Sequence, residues 1–456
     1  MFESVKDLSE AVKAAATIEG DRITVSGASA LAPEVVDRLA WTAAFGASPE
    51  IKGTARWVIR SVAAAAGIRP ASIHDLYIAM GQGKTGGFTV PAINVRAMGY
   101  ETARAVIRAA KKLNAGAFIF EIARSEIGYT EQRPHEYAAI LFAAALREGF
   151  TGPLFIQGDH VQTNAKKYNS PERDKELETL RGLIREEIAA GFYNIDIDTS
   201  TLVDLDKPTL EEQQAVNCDL AADFAAFIRR NEPKDVTVSV GGEIGEVGGK
   251  NSDVHELHAY MQGFNAALKR TIDFALSCGA LIVLAIPLGI VAALVKLTSN
   301  GPVFYRQERM GLDGKSFTIV KFRSMFDDAE KHTGPVWAVQ GDPRVTPLGR
   351  FMRKSNVDEL PQLWNVLMGD MSIVGPRPER PHFVEQFKHK IPQYMLRHKV
   401  KAGITGWAQV NGWRGNTSIE QRIQYDLYYI ENWSLLLDLK ILALTLVRGF
   451  VHKNAY

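Results

Sequence analysis

The chain contains little cysteine. Cys218 and Cys278 are the two cysteines among its 456 residues, and they lie far apart in the sequence. Two such residues do not supply the framework of a disulfide-rich secreted protein, nor a metal site built from several thiolates. We therefore expect a protein of a reducing compartment.

The chain also has almost no net charge, no signal peptide pattern and no internal repeat. Its 53 Lys and Arg residues face 52 Asp and Glu residues, which gives a formal net charge of +1. A net charge this small gives no overall electrostatic field that would attract nucleic acid, so no nucleic-acid partner is expected. The start, MFESVKDLSE, lacks both the basic and the apolar region of a secretory signal. A hydrophobic content of 46% is ordinary for a globular protein, and the length predicts two or three domains.

One apolar run stands out against this composition. The 22 residues from Phe274 to Val295 contain no charged side chain, and that length suffices to enter a bilayer. Pro287 lies just past the middle, where it removes a backbone donor and bends a helix. Lys269 and Lys296 flank the run, and basic flanks favour the cytoplasmic side. We predict a helix-break-helix that enters and leaves the membrane by one face; the alternative is a buried core helix of a soluble domain.

The part of the chain before this run changes pattern near residue 85. Residues 1–84 are rich in alanine with helical spacing, which predicts a helical extension. From Phe88 onward, five short apolar segments alternate with helical segments, which predicts parallel βα units. The expected fold class is α/β, with incomplete TIM-barrel-like βα units. The segment GQGKTGG at Gly81–Gly87 lacks the spacing of a phosphate loop, so we expect a connector there.

Polar side chains follow the predicted strands of this part. Asp159 and His160 end one strand, Asp196 and Asp198 end the next, and Glu243 ends another. In a parallel barrel this is the face that carries chemistry. The sequence therefore predicts that these side chains share one edge of the sheet.

The segments VPAIN, GDH and GGEIGEVGG, over about residues 85–255, resemble the class II, metal-dependent fructose-bisphosphate aldolase family. The resemblance implies that Asp159 transfers a proton, that His160 binds zinc and that Glu243 lies near the metal. The family's later histidines are missing, and His255 and His258 are the only nearby substitutes. A catalytic zinc normally has three protein ligands, so we expect an aldolase-like remnant in which zinc is not bound.

Five ordered motifs follow the apolar run. They are SNGPVFYRQERMG, FTIVKFRSM, VTPLGRFMRKSNVDELPQLWNVLMGDMSIVGPRPE, VKAGITGWAQVNGWRG and QYDLYYIENWSLLLDLKIL. Together they resemble the bacterial sugar transferase family, monotopic enzymes that move a sugar 1-phosphate from a UDP-sugar onto polyprenyl phosphate. The resemblance covers about residues 269–456 and implies a membrane-associated, α-rich α/β catalytic domain. The last two motifs look most like members that transfer glucose or galactose.

Asp358 and Glu359 are adjacent carboxylates directly before a Leu-Pro pair, which places them close to a helix boundary. Cations on both sides in sequence keep such carboxylates ionised and can bind phosphate oxygens. The resemblance implies that Asp358 is the nucleophile, which attacks the β-phosphorus of the UDP-sugar. It also implies that Glu359 holds Mg²⁺ or assists proton removal. A solvated surface ion pair is the alternative for such residues.

The resemblance further implies a set of substrate- and phosphate-binding side chains. They are Lys321, Arg323, Arg353, Arg377, Glu379 and Asp370. Arginine suits phosphate because its planar fork binds two oxygens at once. Phosphoryl transfer depends mainly on positioning and charge neutralisation. The alternative for each basic residue is a membrane-surface anchor or a surface ion pair.

Together these patterns predict the layout and the function. We expect a helical extension at 1–84, an aldolase-like βα domain at 85–262, a re-entrant membrane segment at 263–300 and a catalytic domain at 301–456. The predicted reaction proceeds through a covalent aspartyl intermediate and releases UMP at the cytoplasmic face of the bacterial inner membrane. The expected partners are UDP-sugar, polyprenyl phosphate and membrane lipid, with Mg²⁺ as cofactor and a possible homodimer. The alternatives are a membrane-tethered, metal-dependent aldolase and a noncatalytic membrane scaffold.

Overall fold

The computed structural model describes residues 1–245, 252–327, 329, 342–391, 393–415 and 417–448. The chain divides into two compact units, Met1–Leu268 and Lys269–Tyr456, called here the N-terminal and C-terminal units. The domain boundaries predicted at residues 84, 262 and 300 stay predictions.

The N-terminal unit is a mixed α/β structure. Its helices are α1 (Val5–Val12), α2 (Pro33–Phe45), α3 (Pro49–Ala65), α4 (His74–Gly81), α5 (Gly99–Leu113), α6 (Arg124–Thr130), α7 (Pro134–Arg147), α8 (Ala165–Tyr168), α9 (Arg173–Ala190) and α10 (Leu210–Asn231). Its strands are β1 (Ala16–Glu19), β2 (Arg22–Val25), β3 (Ile68–Ala71), β4 (Ala92–Asn94), β5 (Ile119–Ala123), β6 (Gly152–Gln162), β7 (Asn194–Asp198) and β8 (Ser239–Gly242).

The segment before residue 84 is not wholly helical, which corrects the prediction. β1 and β2 form an antiparallel hairpin with Ala16 opposite Val25, and Gly20 takes the left-handed backbone (φ 60°) that the tight turn requires. β3 pairs in parallel with the first half of β6, where Ile68 lies beside Gly152. Each of these three strands has four residues, so the surrounding alanine-rich helical pattern masked them.

The sheet of the N-terminal unit is parallel, as predicted. In the described residues it has six strands: β4-β5-β6-β7-β8 follow chain order, and β3 pairs with β6. A strand order that never reverses is typical of βα barrels, whereas a doubly wound sheet has a switch point. The parallel βα arrangement is therefore confirmed, with β3 added to the five predicted strands. Closure into a barrel stays a prediction.

The core of this unit is built around α7. Every residue from Tyr137 to Ala145 is buried, because α2, α3, α5 and α9 all contact this helix. The small alanines among these residues allow the helix axes to approach closely. The sheet thereby gains a rigid support behind the strands that end in polar side chains.

The C-terminal unit is richer in helices. Together with α11 (Val254–Thr298), in which the division between the units falls, its helices are α12 (Pro347–Ser355), α13 (Gln362–Met368), α14 (Pro381–Lys388), α15 (Trp407–Val410), α16 (Ile419–Glu431) and α17 (Leu435–Arg448). Its strands are β9 (Phe304–Met310), β10 (Ser316–Phe322), β11 (Ser372–Val374) and β12 (Gly403–Thr405). β9 and β10 pair antiparallel, and β11 and β12 pair parallel.

The apolar run lies wholly within α11, which continues through Pro287. The predicted interruption between two helices is therefore not seen, since a helix can contain a proline by losing one hydrogen bond and bending. By length and composition α11 could cross a membrane, and 6% of its most apolar window is buried. Ile282, Val283 and Ile286 are 72%, 77% and 78% exposed. This exposure argues against a core helix of a soluble domain.

Glu187 on α9 is a buried carboxyl group. The residue is 0% exposed and lies against Gly158 of β6, and neither oxygen has a hydrogen-bond partner in the described part of the chain. Burial raises the pKa of Glu187 to about 8. The neutral form is therefore the one that the folded chain favours.

We expect Glu187→Gln to flatten the pH dependence of the stability of the N-terminal unit. The folded chain keeps a proton that the unfolded chain releases between the ordinary pKa of 4.5 and about 8. Wild-type stability should therefore fall as pH rises through this window, by up to about 1.4 kcal/mol per pH unit. Thermal melts of both proteins across the window test this. A difference in melting temperature between wild type and variant that stays constant across this pH window would contradict the prediction.

Candidate active site

The adjacent carboxylates lie in a short turn between two helices. The hydroxyl of Thr346 caps α12 by accepting a hydrogen bond from Gly349 N at 2.9 Å. The helix ends at Asn356, whose backbone is left-handed (φ 56°). A 3₁₀ turn, Val357–Glu359, follows, and α13 begins just after Pro361. The carboxylates therefore lie at a helix boundary, as predicted.

Glu359 is held between two cations. Lys321, near the end of β10, donates from Nζ to Oε1 at 2.7 Å. Arg377 donates from Nη2 to Oε1 at 2.5 Å and from Nη1 to Oε2 at 3.2 Å. Burial raises the pKa of Glu359, but the attraction of Arg377 and Lys321 outweighs it and holds the pKa well below its usual value. Glu359 is therefore ionised, with both oxygens engaged.

Asp358 has a different environment. It is 7% exposed, and within the described part of the chain no donor bonds its carboxylate. Burial and the negative charge of Glu359 raise its pKa to about 6, against the opposing attraction of Lys321 and Arg353. The two carboxylates thus differ: Glu359 is a fixed anion, while Asp358 has a pKa of about 6 and accepts no hydrogen bond from the described residues.

Two further cations lie near the pair. Arg353 on α12 donates from Nε to Ser324 Oγ at 2.9 Å. Arg414 donates from Nη2 to Asn356 Oδ1 at 2.9 Å; burial lowers its pKa, and the carboxylate pair partly offsets this. Sequence reasoning missed Arg414, although it stands in the quoted segment NGWRG. Arg414 lies far from the carboxylates in the sequence, so the sequence alone does not show that they are close in the structure.

The site therefore contains more positive than negative charge. The cations that act on the pair are Lys321, Arg353, Arg377 and Arg414, against two carboxylates. Lys321 and Arg377 bond Glu359. The hydrogen bonds seen for Arg353 and Arg414 go to neutral side chains. A low-dielectric site with surplus cations attracts a polyanionic ligand.

Arg323, predicted to bind phosphate, lies at the end of α11. It donates from Nη2 to Ser299 O at 2.9 Å and also bonds Asn300 O. A guanidinium at this position satisfies carbonyl groups that have no partner within the helix, and it complements the negative end of the helix dipole. Lys321 is near the end of β10 and Arg323 directly follows the strand, so this stretch connects the end of α11 with Glu359.

Glu379 and Asp370 also contact groups other than the carboxylate pair. Glu379 accepts from Arg422 at 2.7 Å in a buried ion pair. Asp370 is exposed and accepts from Asn365 Nδ2 at 3.2 Å. Their predicted roles in substrate binding stay predictions, while Lys321, Arg353 and Arg377 do meet around the pair.

A second group of titratable side chains lies at the carboxyl ends of β6, β7 and β8. The ligand atoms of Asp159, His160 and Asp196 lie within 4.8 Å of one another. His160 Nδ1 is 3.1 Å from Asp198 Oδ2, and Glu243 lies close enough to Asp196 for each carboxylate to affect the pKa of the other. Burial raises the pKa of Asp196 to about 7, and the charge of Glu243 adds to this. The structure thus brings together the polar residues that follow the predicted strands.

This second group could hold a divalent cation, but its donors do not match a catalytic zinc site. One imidazole and two carboxylates suit oxygen-preferring cations better than Zn²⁺. His255 and His258 are exposed near the start of α11 and, in the described residues, do not belong to the group. The zinc ligation of the aldolase family is therefore incomplete here.

Comparison with known proteins identifies the class of the C-terminal part. A family model described as "Bacterial sugar transferase" matches residues 264–452. The chain is 44% identical over 192 residues, 41% of its length, to the uncharacterized sugar transferase EpsL of Bacillus subtilis, and the match covers 89% of that protein. Against the exopolysaccharide production protein PSS of Rhizobium leguminosarum, it is 43% identical over 190 residues, 40% of this chain and 94% of that protein. The chain belongs to the bacterial sugar transferase family.

Other relatives are longer proteins. The chain is 50% identical over 200 residues to the UDP-glucose:undecaprenyl-phosphate glucose-1-phosphate transferase of Escherichia coli, and the match covers 43% of each protein. The chain therefore spans less than half the length of that relative. The N-terminal unit has its own match, because the model "Fructose-bisphosphate aldolase class-II" covers residues 77–298. Both predicted resemblances are thereby confirmed.

We expect Glu359→Gln to destabilise the C-terminal unit by about 2 kcal/mol, because it leaves two partly buried cations without their carboxylate. Chemical unfolding of the full chain measures this. The control is Glu385→Gln, which removes an exposed carboxylate 2.8 Å from Lys388. That change should cost less than about 1 kcal/mol. Equal effects of the two variants would contradict the ion cluster described for Glu359.

Proposed function

We propose that this chain transfers a hexose 1-phosphate from a UDP-sugar to a polyprenyl phosphate and releases UMP. The proposal rests on the difference between the two carboxylates. Glu359 is fixed between two cations, whereas Asp358 is buried and its oxygens accept no hydrogen bond from the residues that the structure describes. The name of the Escherichia coli relative, a UDP-glucose:undecaprenyl-phosphate glucose-1-phosphate transferase, supports these substrate classes. UDP-glucose is therefore the first sugar donor to test.

In the proposed reaction, the ionised carboxylate of Asp358 attacks the β-phosphorus of the UDP-sugar. The bond from the β-phosphorus to the bridging oxygen breaks, and UMP leaves with the electron pair. The sugar phosphate stays on Asp358 as an acyl phosphate, which divides one hard displacement into two easier ones. An oxygen of polyprenyl phosphate then attacks the same phosphorus, and the Asp358 carboxylate is released unchanged.

The cations have separate roles in this reaction. Lys321 and Arg377 keep Glu359 ionised, and Glu359 in turn orients them beside Asp358. Arg353 and Arg414, which bond neutral groups, supply the charge for the diphosphate oxygens. Arginine neutralises the negative charge that develops on the leaving UMP. Its guanidinium stays protonated, so it does not exchange a proton with Asp358.

Mg²⁺ was predicted at Glu359, and the contacts of that residue do not fit the role well. Both oxygens accept hydrogen bonds from cations, so a metal ion there would face Lys321 and Arg377. Mg²⁺ generally combines one or two carboxylates with substrate phosphate oxygens. The carboxylate of Asp358, which accepts no hydrogen bond from the described residues, is the better candidate to hold Mg²⁺.

Contacts at both ends of the apolar run support a re-entrant path for α11. Before the run, Arg270 donates to Val366 O at 2.6 Å and to Leu367 O at 2.7 Å, at the end of α13. At the other end, Val295 is buried in one cluster with Phe322 of β10. A straight crossing would separate these ends by about 30 Å of hydrocarbon. One compact unit on one side could not contact both, so we propose that α11 bends near Pro287 and stays on the cytoplasmic face.

The aldolase alternative is not favoured. In the described residues His160 is the one histidine of the second titratable group, and the zinc ligand set of that family is incomplete. An aldolase would cleave a ketose bisphosphate and lose that activity with a chelator.

We expect Asp358→Asn to lower UMP release at least about a thousandfold, because an amide cannot act as the nucleophile. The assay uses the full chain in detergent with UDP-glucose and polyprenyl phosphate. The wild-type rate should also fall as pH drops through about 6, since Asp358 must be ionised. Glu385→Gln, an exposed change, serves as the matched control and should keep the wild-type rate. Unchanged UMP release by Asp358→Asn would refute the proposal.

We expect single cysteine labels at Lys269 and Lys296 to react from the same side of sealed membrane vesicles. Both positions flank the apolar run, and the proposed bend returns the chain to the face it entered. The measurement is labelling by a membrane-impermeant thiol reagent before and after permeabilisation, with both Cys218 and Cys278 replaced by serine. Labels on opposite faces would establish a crossing instead.

A further inference from the structure

Arg377 stands on a segment with little backbone freedom. Pro376 and Pro378 flank it, and each proline fixes its own φ and restricts the residue before it. Pro376 O and Glu379 O accept backbone hydrogen bonds at 2.8 Å and 2.9 Å. The main chain around Arg377 is therefore anchored on both sides.

Two arginines, Arg397 buried and Arg309 partly buried, bond the carbonyl groups that lie between these anchors. Arg397 donates from Nη2 to Arg377 O at 2.9 Å, and Arg309 donates from Nη1 to Pro378 O at 3.0 Å. Four successive carbonyl groups of the segment thus accept a hydrogen bond. Side chains supply two of these bonds, and one of them goes to the peptide of Arg377 itself.

Arg397 is held by a deeply buried carboxylate. Its Nη2 lies 2.7 Å from Asp426 Oδ2, and both side chains are 2% exposed. Removing two charges from water costs several kcal/mol, and well-packed apolar residues in place of such a pair are often equally or more stabilising. Fold stability alone therefore does not account for this ion pair.

We propose that Arg397, held by Asp426, is a positioning residue that sets the main chain of Arg377 so that its guanidinium meets both oxygens of Glu359. The inference rests on the proposed function, because it assigns the pair to the same carboxylate site. Arg397 touches no reacting atom and acts through one backbone carbonyl.

The geometry at Glu359 explains why this position matters. Arg377 reaches Oε1 at 2.5 Å and Oε2 at 3.2 Å, so a shift of about 1 Å would break the second contact. Misplacement of that size in an active site can lower turnover by about a hundredfold. The substrate contacts proposed for other arginines would be unaffected, so the loss should appear in kcat rather than in KM.

The test is the double variant Arg397→Met, Asp426→Leu in the full chain. Its melting temperature should equal or exceed the wild-type value, because an apolar pair replaces a buried ion pair. We expect kcat for UMP release from UDP-glucose, per folded molecule, to fall at least about tenfold, with KM changed less than about threefold. Arg397→Lys, which keeps the charge but lacks the fork, should also lower kcat.

The matched control is Arg104→Met, Glu148→Leu, which replaces a partly buried pair at 2.7 Å in the N-terminal unit and should leave kcat within about twofold. A wild-type kcat per folded molecule in the Arg397 and Asp426 double variant overturns the inference and leaves the proposed function standing. A tenfold loss in the control as well would also overturn it. If wild-type protein releases no UMP from any UDP-sugar, the proposed function fails, and the inference fails with it.

Discussion

The contact on which the C-terminal site depends is the binding of one carboxylate, Glu359, by two cations. Asp358 is buried and Glu359 is partly buried, so two unpaired negative charges there would repel each other and favour the uptake of a proton. Lys321 and Arg377 neutralise Glu359, so that the pKa of Asp358 rises only to about 6. One member of the pair is thereby a permanent part of the scaffold, while the other is a buried carboxylate available for chemistry.

The scaffold supplies these cations from segments that are themselves anchored. β10 places Lys321 at Glu359, and Arg323, directly after the strand, bonds carbonyl groups just beyond the end of α11. Side chains at and just after the end of β10 therefore contact both the carboxylate turn and the segment that follows the apolar helix. On the other side, a proline-flanked segment presents Arg377. In the proposed reaction, the lipid-linked acceptor and the nucleotide donor would meet where the apolar helix and the charged site adjoin.

The features of the fold and the site that could be predicted from the sequence are those whose contacting residues are also close together in the chain. The parallel sheet and the carboxylate pair follow from local patterns and ordered motifs. β3 was missed because four residues become a strand only by pairing with β6. Residue type marked Arg323 as a phosphate ligand, but its partners come from the end of α11. Arg414 was missed because only the fold brings it to Asn356.

The most direct test of the account is mass spectrometry of the full chain after incubation with UDP-glucose and without polyprenyl phosphate. We expect release of UMP and a hexose phosphate adduct on the peptide that contains Asp358. The adduct should disappear when polyprenyl phosphate is added. Turnover with no adduct, or an adduct on any other residue, would contradict the central claim that Asp358 is the nucleophile and Glu359 its fixed neighbour.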